Sequence, residues 1–400
     1  QVLEERKATI GSYDVDFDID FVFIGSLHPD EEVIIKRDNI VEKVKIGELV
    51  DYFIESYGSN NVNGSEVAKN YEDIETFSFN PKTCLIEPMK ITAFIRHKPT
   101  DFIYELQLSN GRKVKVTGKH SVFVKNKGII EPIEVSKLKE GVKIIIPKKI
   151  IYSSINLDKI HLSSLFNYVK EKRIFIKNGN IKEVISKNNT FLSSKFDSRT
   201  LSKHNFAKRL PLDSLNNQVL LQLDNKEIGV NGSKNSIKTE LIVDNDLCWL
   251  LGFFVAEGFT QKAYNNKGTY RYNIWLSNKD INKINKAKTI IKEKFGLITH
   301  IRLDERYNVY NLTISSYPLY LVFKHLFEIP LGSENKKVPT LIFQLDKIKI
   351  KHFLQGYLEG DGTVYTDKNG YTHISFSTTS PQLASDISYL FMTLGKETST

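Results

Sequence analysis

Two apolar segments of the 400-residue chain each end in an acid that is followed by a glycine. The first reads LLGFFVAEG and carries Glu257, and the second reads LQGYLEGDG and carries Asp361 at the matching position. Both segments also place two small residues four positions apart, which puts them on one face of a helix. The matching offsets predict two helices that pack closely through these small residues, which are Gly252, Ala256, Gly356 and Gly360.

This packing would bring Glu257 and Asp361 side by side at the C-terminal ends of both helices. That end carries the negative pole of each helix dipole, so the two carboxylates repel each other and both dipoles. Because a divalent cation removes this conflict and hard oxygen ligands suit magnesium, the pair predicts a Mg²⁺ site. The closing glycines, Gly258 and Gly362, are expected to end the helices in the left-handed cap conformation. One such segment alone is typical of ordinary core packing, and its repetition favours a functional interpretation.

The doubled segments resemble the paired motifs of the LAGLIDADG homing endonucleases, and the resemblance covers roughly residues 244–400. It implies an α+β domain of two αββαββα pseudo-repeats, in which Glu257 and Asp361 are metal ligands and each serves one strand of duplex DNA. The stretch NKKVPTLIF resembles the family's K-x-I/V-P block and places Lys336 at its lysine, where it would stabilise charge or position water. The first motif departs from the family pattern, because Glu257 replaces the more usual aspartate and Val255 stands where the family name has its first Asp.

The alternating segments that follow the acids carry candidate DNA contacts. Along YRYNIWLS, the residues Arg271, Asn273 and Ser277 share one face of a strand, and a strand ribbon fits the major groove, where the base edges differ. An ordinary solvated face of an antiparallel sheet explains the same pattern, so both interpretations stay open. The second copy offers the same alternation in His373, Ser375 and Ser377.

Three N-terminal segments, over residues 26–148, resemble parts of the intein splicing domain, the Hint fold: in order, its opening block, its second block and the segment that closes its N-terminal half. They read SLHPDEEVIIKRDNIVEKVKIGELV, GRKVKVTGKHSVFV and EPIEVSKLKEGVKIIIP. Short strand-like runs between turn residues predict an all-β domain for this part of the chain. The resemblance places Ser26 at the splicing nucleophile, and Thr117 and His120 in the family's T-x-x-H pattern.

A hydroxyl at Ser26 can attack the preceding carbonyl and convert the Gly25–Ser26 amide into an ester. Because amides resist this attack, the site needs an imidazole that protonates the departing amine and a hydroxyl that holds the amide. His120 and Thr117 fit these roles. Most of the family begins with cysteine, and serine is the weaker nucleophile at neutral pH. The sequence leaves open whether Ser26 is natural or an engineered replacement.

The whole chain is expected to be a multi-domain fragment of an archaeal-type intein with an embedded endonuclease. It begins at Gln1 and lacks the closing splicing blocks, so we expect that it cannot complete splicing alone. The predicted divisions are an N-extein remnant (1–25), the N-terminal half of the splicing domain (26–148), a basic linker or DNA-contacting segment (149–242) and an endonuclease domain incomplete at its C-terminus (243–400).

Positive charge is concentrated in the middle of the chain. The formal net charge is +9, and residues 151–240 contain 15 Lys or Arg against 8 Asp or Glu. A basic segment beside paired carboxylates favours nucleic acid as the partner. We therefore expect duplex DNA at the intein insertion site and the host protein in cis as partners, with the chain acting as a monomer of internal pseudo-twofold symmetry.

The remaining composition excludes several classes of protein. Cys84 and Cys248 are the only cysteines, too few for a disulfide framework or a cysteine zinc site. The longest near-apolar run, residues 248–256, is too short to span a bilayer, and no signal peptide is evident, so a cytoplasmic protein is expected. Three rivals remain: a DNA-binding protein that does not cut, a purely autoproteolytic Hint protein, and an RNA maturase. The paired acids disfavour a DNA-binding protein that does not cut. The doubled motif disfavours a purely autoproteolytic protein, and Ser26 with the T-x-x-H pattern disfavours a maturase.

Overall fold

The computed structural model describes residues 26–398 except 39, 81–82, 99–101, 110, 148–153, 170–173, 224–225, 265–269, 331 and 397. The expected N-extein segment, residues 1–25, lies outside the described residues. The described chain divides into two compact units, one holding the residues up to 155 with those from 388 onward, the other holding residues 156–387. Within the described ranges, no helix has the length and apolar character needed to cross a bilayer.

Short antiparallel strands make up most of the N-terminal unit. Along the chain they are β1 (Glu32–Arg37), β2 (Ile40–Lys45), β3 (Asn60–Val62), β4 (Ser65–Lys69), β5 (Glu75–Asn80), β6 (Leu85–Lys90), β7 (Ala93–Arg96), β8 (Ile103–Gln107), β9 (Lys113–Thr117), β10 (Ser121–Asn126) and β11 (Ile129–Glu134). They pair in the orders β2-β1-β5-β6, β3-β4-β7, β8-β9 and β10-β11. The predicted strands EEVIIK, FIYELQL, RKVKVTG and HSVFV are confirmed as β1, β8, β9 and β10. The predicted strand VKIIIP is wrong, because only an isolated bridge at Ile144 joins it to β10.

Helix α1 (Ile46–Tyr57) packs against the sheet that contains β4 and β7. Its buried side chains recur at helical spacing, which gives the helix one apolar face. Phe53 of this face stacks on Phe94 of β7 with 4.1 Å between ring centroids. The strand-based sequence interpretation did not specify this helix. The buried residues of the face are Ile46, Leu49, Val50, Phe53 and Ile54.

The middle segment folds into a small α/β layer with its own apolar core. Its strands are β12 (Lys159–His161), β13 (Ile174–Lys177), β14 (Arg209–Pro211), β15 (Glu227–Val230), β16 (Ile237–Lys238) and β17 (Glu240–Ile242), and its helices are α2 (Leu162–Val169), α3 (Ile181–Lys187), α4 (Asn189–Ser193), α5 (Ser198–Phe206) and α6 (Asn217–Leu221). The sheet order is β14-β13-β15-β16, and β12 pairs with β17. Ile174, Ile176 and Ile228 of this sheet are fully buried.

The C-terminal part contains one complete αββαββα series followed by a second series of αββα order. The elements are α7 (Asn245–Glu257), β18 (Gly258–Tyr264), β19 (Tyr270–Asn278), α8 (Ile281–Phe295), β20 (His300–Asp304), β21 (Val309–Ser315), α9 (Tyr317–His325), α10 (Lys347–Asp361), β22 (Gly362–Thr366), β23 (Thr372–Phe376) and α11 (Pro381–Thr393). The first sheet has the order β18-β19-β21-β20, and β22 pairs with β23. Asp244 and Asp346 cap α7 and α10 by accepting hydrogen bonds from backbone N–H groups of the first turn, as N-cap acids do.

Candidate active sites

Ser26 is held against the end of β9 by two hydrogen bonds with Thr117. The Ser26 N–H donates to Thr117 Oγ1 at 2.8 Å, and the Thr117 N–H donates to the Ser26 carbonyl at 2.9 Å. A bridge between Leu27 and Val116 continues this pairing. Ser26 is only 4% exposed. The predicted hydroxyl of Thr117 therefore contacts the nitrogen of the Gly25–Ser26 peptide bond, although Gly25 itself lies outside the described residues.

His120 lies in the turn that follows β9. Its backbone N–H donates to the Thr117 carbonyl at 3.0 Å, and its own carbonyl accepts from the Val135 N–H at 2.8 Å. Nδ1 of its ring is shielded from solvent. The T-x-x-H spacing thus places His120 one turn away from the hydroxyl that contacts Ser26.

His97 also belongs to this site, and sequence reasoning missed it. Its Nε2 lies 2.6 Å from Ser26 Oγ, and its Nδ1 lies 2.9 Å from the Lys98 carbonyl oxygen. The residue follows β7 directly and lies 71 positions from Ser26 along the chain. Only the three-dimensional pairing of the strands brings the two together, so no local spacing in the sequence could indicate the contact.

The second site begins with the close packing of α7 against α10, which the small residues predicted. A Cβ on Gly252 would lie 1.9 Å from the Phe353 carbonyl oxygen, and one on Gly356 would lie 2.1 Å from the Trp249 carbonyl oxygen. Such distances are far below any contact distance, so the two backbones touch at these glycines. This prediction is confirmed, and it fixes the relative position of the two helix ends.

Glu257 and Asp361 are the last residues of α7 and α10. The expected left-handed caps after them are wrong, because Gly258 has φ −102° and ψ 158°, and Gly362 has φ −87° and ψ 150°. Both glycines are extended and begin strands β18 and β22. Space requires glycine there: a Cβ would lie 2.4 Å from the Phe254 ring at Gly258 and 2.4 Å from the Leu358 carbonyl oxygen at Gly362.

The charges of the two helix ends influence each other. Burial raises the pKa of the Glu257 carboxyl, and the charge of Asp361 raises it further. Partial burial also raises the pKa of the Asp361 carboxyl against the opposing effect of Lys336, although one side of Asp361 stays exposed to solvent. Burial lowers the pKa of the Lys336 ammonium, whose Nζ donates to the Ala256 carbonyl at 2.8 Å. Added positive charge at this point would therefore favour both carboxylates.

The donor set fits a hard divalent cation. Within the described ranges, no group of three or more His, Cys, Asp or Glu is arranged to hold a metal ion. A cation between Glu257 and Asp361 would thus take further ligands from water or substrate oxygens, as Mg²⁺ commonly does. A cleft of about 390 Å³ borders Glu257 and Lys336.

Two further residues at this site escaped the sequence interpretation. The Asn278 side-chain amide donates to Glu257 Oε1, and Lys283 Nζ donates to the Glu359 carbonyl at 2.5 Å. Glu359, the acid that precedes the metal motif, accepts from Trp249 Nε1 at 3.0 Å and from Gln355 Nε2 at 2.7 Å. Its carboxylate therefore links the two helices. Asn278 and Lys283 lie at the β19–α8 junction, which carries no recognisable spacing relative to Glu257.

A family model for the intein splicing domain matches residues 34–327, more than half of the chain. The chain belongs to the intein splicing family. A second model, for a LAGLIDADG-like domain, matches residues 349–400. The intein thus combines a Hint-like fold in its N-terminal half with a LAGLIDADG-like domain at its C-terminus, which confirms the predicted fold class.

Relatives of the intein include large polymerases. The DNA polymerase of Thermococcus litoralis is 28% identical over 429 residues, which cover 92% of this chain and 24% of the polymerase. The DNA-directed RNA polymerase subunit Rpo1C of Methanocaldococcus jannaschii is 24% identical over 351 residues, which cover 86% of this chain and 33% of the subunit. The chain therefore spans about a quarter to a third of the length of these curated relatives.

Solved structures similar to parts of the chain fall into two groups. The transcription factor IIB Mja mini-intein is 33% identical with a TM-score of 0.26, covering 32% of this chain and 71% of that one. I-DmoI in complex with DNA and Mn is 19% identical with a TM-score of 0.30, covering 39% of this chain and 80% of that one.

The intein's first set of predicted DNA-reading residues lies on β19. Arg271 is exposed. Asn273 Oδ1 accepts from Ser315 Oγ at 2.5 Å, and the Ser277 hydroxyl donates to Asn311 Oδ1 at 2.6 Å. The last two thus pair with residues directly across on β21, whereas Arg271 is paired through its backbone with Ala263 of β18 and its side chain is exposed to solvent.

The second predicted set lies on and just beyond β23. His373 Nε2 lies 3.0 Å from Asp367 Oδ2, and its ring stacks on Tyr365 with 5.0 Å between centroids. Ser375 and Ser377 are exposed. His373 is therefore oriented within its own hairpin before any ligand binds.

Proposed function

We propose that this intein joins a site-specific, divalent-metal-dependent DNA endonuclease to a self-catalysed splicing domain. The observation that carries the nuclease is the pair of acids, Glu257 and Asp361, at adjoining helix ends where the charge of Asp361 raises the pKa of the Glu257 carboxyl. The target would be duplex DNA at the intein's own insertion site in a gene copy that lacks it. Mg²⁺ is the proposed physiological cation.

The two acids divide the work between the DNA strands. Pseudo-twofold placement at the ends of α7 and α10 supplies one carboxylate for each scissile phosphate. A bound divalent cation supplies the charge that activates water and stabilises the leaving oxygen. Asn278 fixes one oxygen of Glu257, and Lys336, anchored on the Ala256 carbonyl, places a positive charge beside both carboxylates, where it can stabilise the phosphate in the transition state.

Base recognition would come from the sheet that follows the first acid. Arg271 on the exposed face of β19 is suited to bidentate contact with guanine in the major groove, and Asn273 and Ser277 complete this face. His373, Ser375 and Ser377 would read the other half of the site. Asn273, Ser277 and His373 already bond to neighbouring side chains. We therefore expect Arg271 to contribute most to base recognition.

The middle layer would add contacts to the DNA backbone. Helix α5 and its flanks present exposed cationic side chains, and Asp197 caps the helix by accepting from Thr200 N–H at 2.8 Å. A rigid helix with charge on its open face binds phosphates without sequence preference. The exposed cationic residues are Lys195, Arg199, Lys203 and Lys208.

The splicing domain would begin its reaction at the Gly25–Ser26 bond. Thr117 Oγ1 contacts the peptide nitrogen at 2.8 Å, so this hydroxyl holds the amide while Ser26 attacks. His120, one turn away, is the proposed donor of a proton to the departing nitrogen. The product is an ester between the Gly25 carbonyl and the Ser26 oxygen.

Plasmid cleavage tests the nuclease assignment. With Mg²⁺ and supercoiled plasmid carrying the uninterrupted insertion site, the protein should produce linear DNA. Glu257→Gln and Asp361→Asn should each reduce linear product about a hundredfold or more, leaving at most nicked circles, because each acid serves one strand. Binding measured in Ca²⁺ should change little.

Asp246→Asn is the matched control, since this acid lies in the first turn of α7, at the opposite end of the helix from Glu257. It should cleave like the unchanged protein. Full linearisation by both acid variants would remove Glu257 and Asp361 from the mechanism. Tight, specific binding by the unchanged protein without any cleavage would instead support a DNA-binding protein that does not cut.

A further inference from the structure

We propose that His97 is the general base that accepts the proton of the Ser26 hydroxyl, an inference that rests on the proposed acyl shift at Gly25–Ser26. The Ser26 Oγ lies 2.6 Å from His97 Nε2, within the distance needed for direct proton transfer. Ser26 is almost fully buried. The contact therefore lies inside the site and is not an encounter between mobile surface groups.

The other ring nitrogen determines the tautomer of His97. Its Nδ1 lies 2.9 Å from the Lys98 carbonyl oxygen, and a carbonyl can only accept a hydrogen bond. Nδ1 therefore carries the hydrogen, and Nε2 presents its lone pair to Ser26. In this arrangement the serine O–H donates to Nε2, which is the direction that general-base catalysis requires.

The strand before His97 holds the ring in place. Strand β7 pairs with β4 along four residues, from Glu66↔Arg96 to Lys69↔Ala93. Arg96, directly before His97, donates to Asp51 Oδ1 at 2.7 Å and to Glu66 Oε2 at 2.8 Å. The imidazole thus emerges from a strand end that is fixed on both sides.

The choice of nucleophile explains why this base is needed. A cysteine at the first position ionises readily near neutral pH, whereas a serine hydroxyl hardly ionises at all. Ser26 therefore requires a partner that removes its proton as the new bond forms. His97 supplies that partner, and Thr117 and His120 are left to act on the nitrogen side of the peptide bond.

The step balances without any further reactant. The Ser26 O–H bond breaks and its proton moves to His97 Nε2, while Oγ forms a bond to the Gly25 carbonyl carbon. The C–N bond then breaks, and the nitrogen takes one proton to become the free amine of Ser26. The proton held by His97 then passes through solvent to His120, which gave its own proton to the nitrogen, so both imidazoles are restored and the net change is the conversion of an amide into an ester.

A comparison of four forms of the 400-residue chain, the unchanged protein and three variants, tests the base. Release of the fragment ending at Gly25 is followed by mass spectrometry at neutral pH, with hydroxylamine raised until the rate becomes constant and the acyl shift limits it. The fragment mass separates this cleavage from attack at Asn–Gly bonds such as Asn63–Gly64. The chains carry Ser26 or Ser26→Cys, each with His97 or His97→Gln.

His97→Gln should slow release about a hundredfold or more with Ser26 but less than about tenfold with Ser26→Cys, because a thiol needs less help to ionise. His120→Ala should slow both backgrounds equally, since the departing amine is the same. His28→Ala, which changes a histidine of the same unit that contacts Asp30, should slow neither. Thermal melts of every variant establish that it is folded.

Equal slowing of the serine and cysteine chains by His97→Gln would overturn the base and leave a structural role. Unchanged rates in both would overturn it as well. If Ser26→Cys with intact His97 releases no fragment although the chain is folded, the proposed acyl shift itself fails. The cysteine background therefore separates failure of the proposed reaction from failure of its base.

Discussion

At the scale of single residues, the paired acids reduce stability at the place where we propose metal-dependent chemistry. The pKa values of Glu257 and Asp361 are raised in the folded state, so their ionised forms are less favourable there than in the unfolded chain. A carboxyl with a raised folded pKa destabilises the fold when ionised, and this penalty disappears as the pH falls through the folded pKa. Both groups keep contact with water, which limits the size of the effect.

Glu257→Gln should therefore raise the melting temperature at pH 7 without divalent metal. The gain in melting temperature should shrink as the pH falls toward the acid range. There the Glu257 carboxyl of the unchanged protein is protonated in both the folded and the unfolded state. Mg²⁺ should raise the melting temperature of the unchanged protein but not that of the variant. Calorimetry across pH measures all three.

Asp246→Asn is the control for this comparison, because Asp246 lies in the first turn of the same helix, where a carboxylate faces the positive pole. It should give no gain at pH 7. A melting temperature of Glu257→Gln at or below that of the unchanged protein, in the absence of metal, would contradict the electrostatic conflict.

At the scale of elements, α7 and α10 act as one rigid pair because no side chain separates their backbones at Gly252 and Gly356. Gly-to-Ala changes usually stabilise a helix by about 1 kcal/mol. Gly356→Ala should do the opposite and cost about 1–3 kcal/mol or more, since its Cβ would overlap the Trp249 carbonyl and overpacking forces the backbones apart. Urea unfolding measures the difference.

Lys351→Ala, at an exposed position of the same helix, provides the comparison and should change stability little. DNA cleavage should fall with Gly356→Ala even where the protein stays folded, because the two acids would move apart. A Gly356→Ala protein as stable and active as the unchanged one would show that the helices tolerate wider spacing.

Helices and strands were predicted correctly from the sequence where a residue pattern allowed only one structural explanation. Small residues at helical spacing predicted the α7–α10 contact, and alternating runs predicted β9 and β19. The prediction failed at Gly258 and Gly362, since glycine there meets a need for space and not for positive φ. His97 and Asn278 could not be predicted, because strand pairing and the β19–α8 junction bring them to their sites. The roles of Ser26, Thr117 and His120 remain predictions.

At the scale of the whole molecule, positive charge is concentrated in the middle layer. The sequence alone did not decide whether this segment is a linker or contacts DNA. Because this layer has its own buried core, deleting it would disturb folding, and charge reversal is the cleaner test. Arg199→Glu with Lys203→Glu should weaken binding and lower the slope of log K against log salt by about two, since each phosphate contact contributes about 0.9.

Lys125→Glu with Lys127→Glu changes the net charge equally on the exposed β10–β11 hairpin. This pair should leave the salt slope nearly unchanged. Fluorescence anisotropy with a labelled duplex from 50 to 300 mM salt, roughly the range over which counterion release dominates, distinguishes the two. If both double substitutions lowered the salt slope equally, α5 would affect DNA binding only through the net charge of the protein.

Glu257 ends α7 and the next residue, Gly258, already belongs to β18, with no loop between them. The number of residues between Glu257 and a position on β18 therefore sets how far that position lies from the acid and which face of the sheet its side chain occupies. A single inserted residue would turn every following side chain to the opposite face of the sheet. The proposed base contacts can be changed by substitution, but the length of this junction cannot change. Alteration of the proposed target preference should thus proceed by exchanging side chains on β18 and β19 while the chain length after Glu257 stays constant.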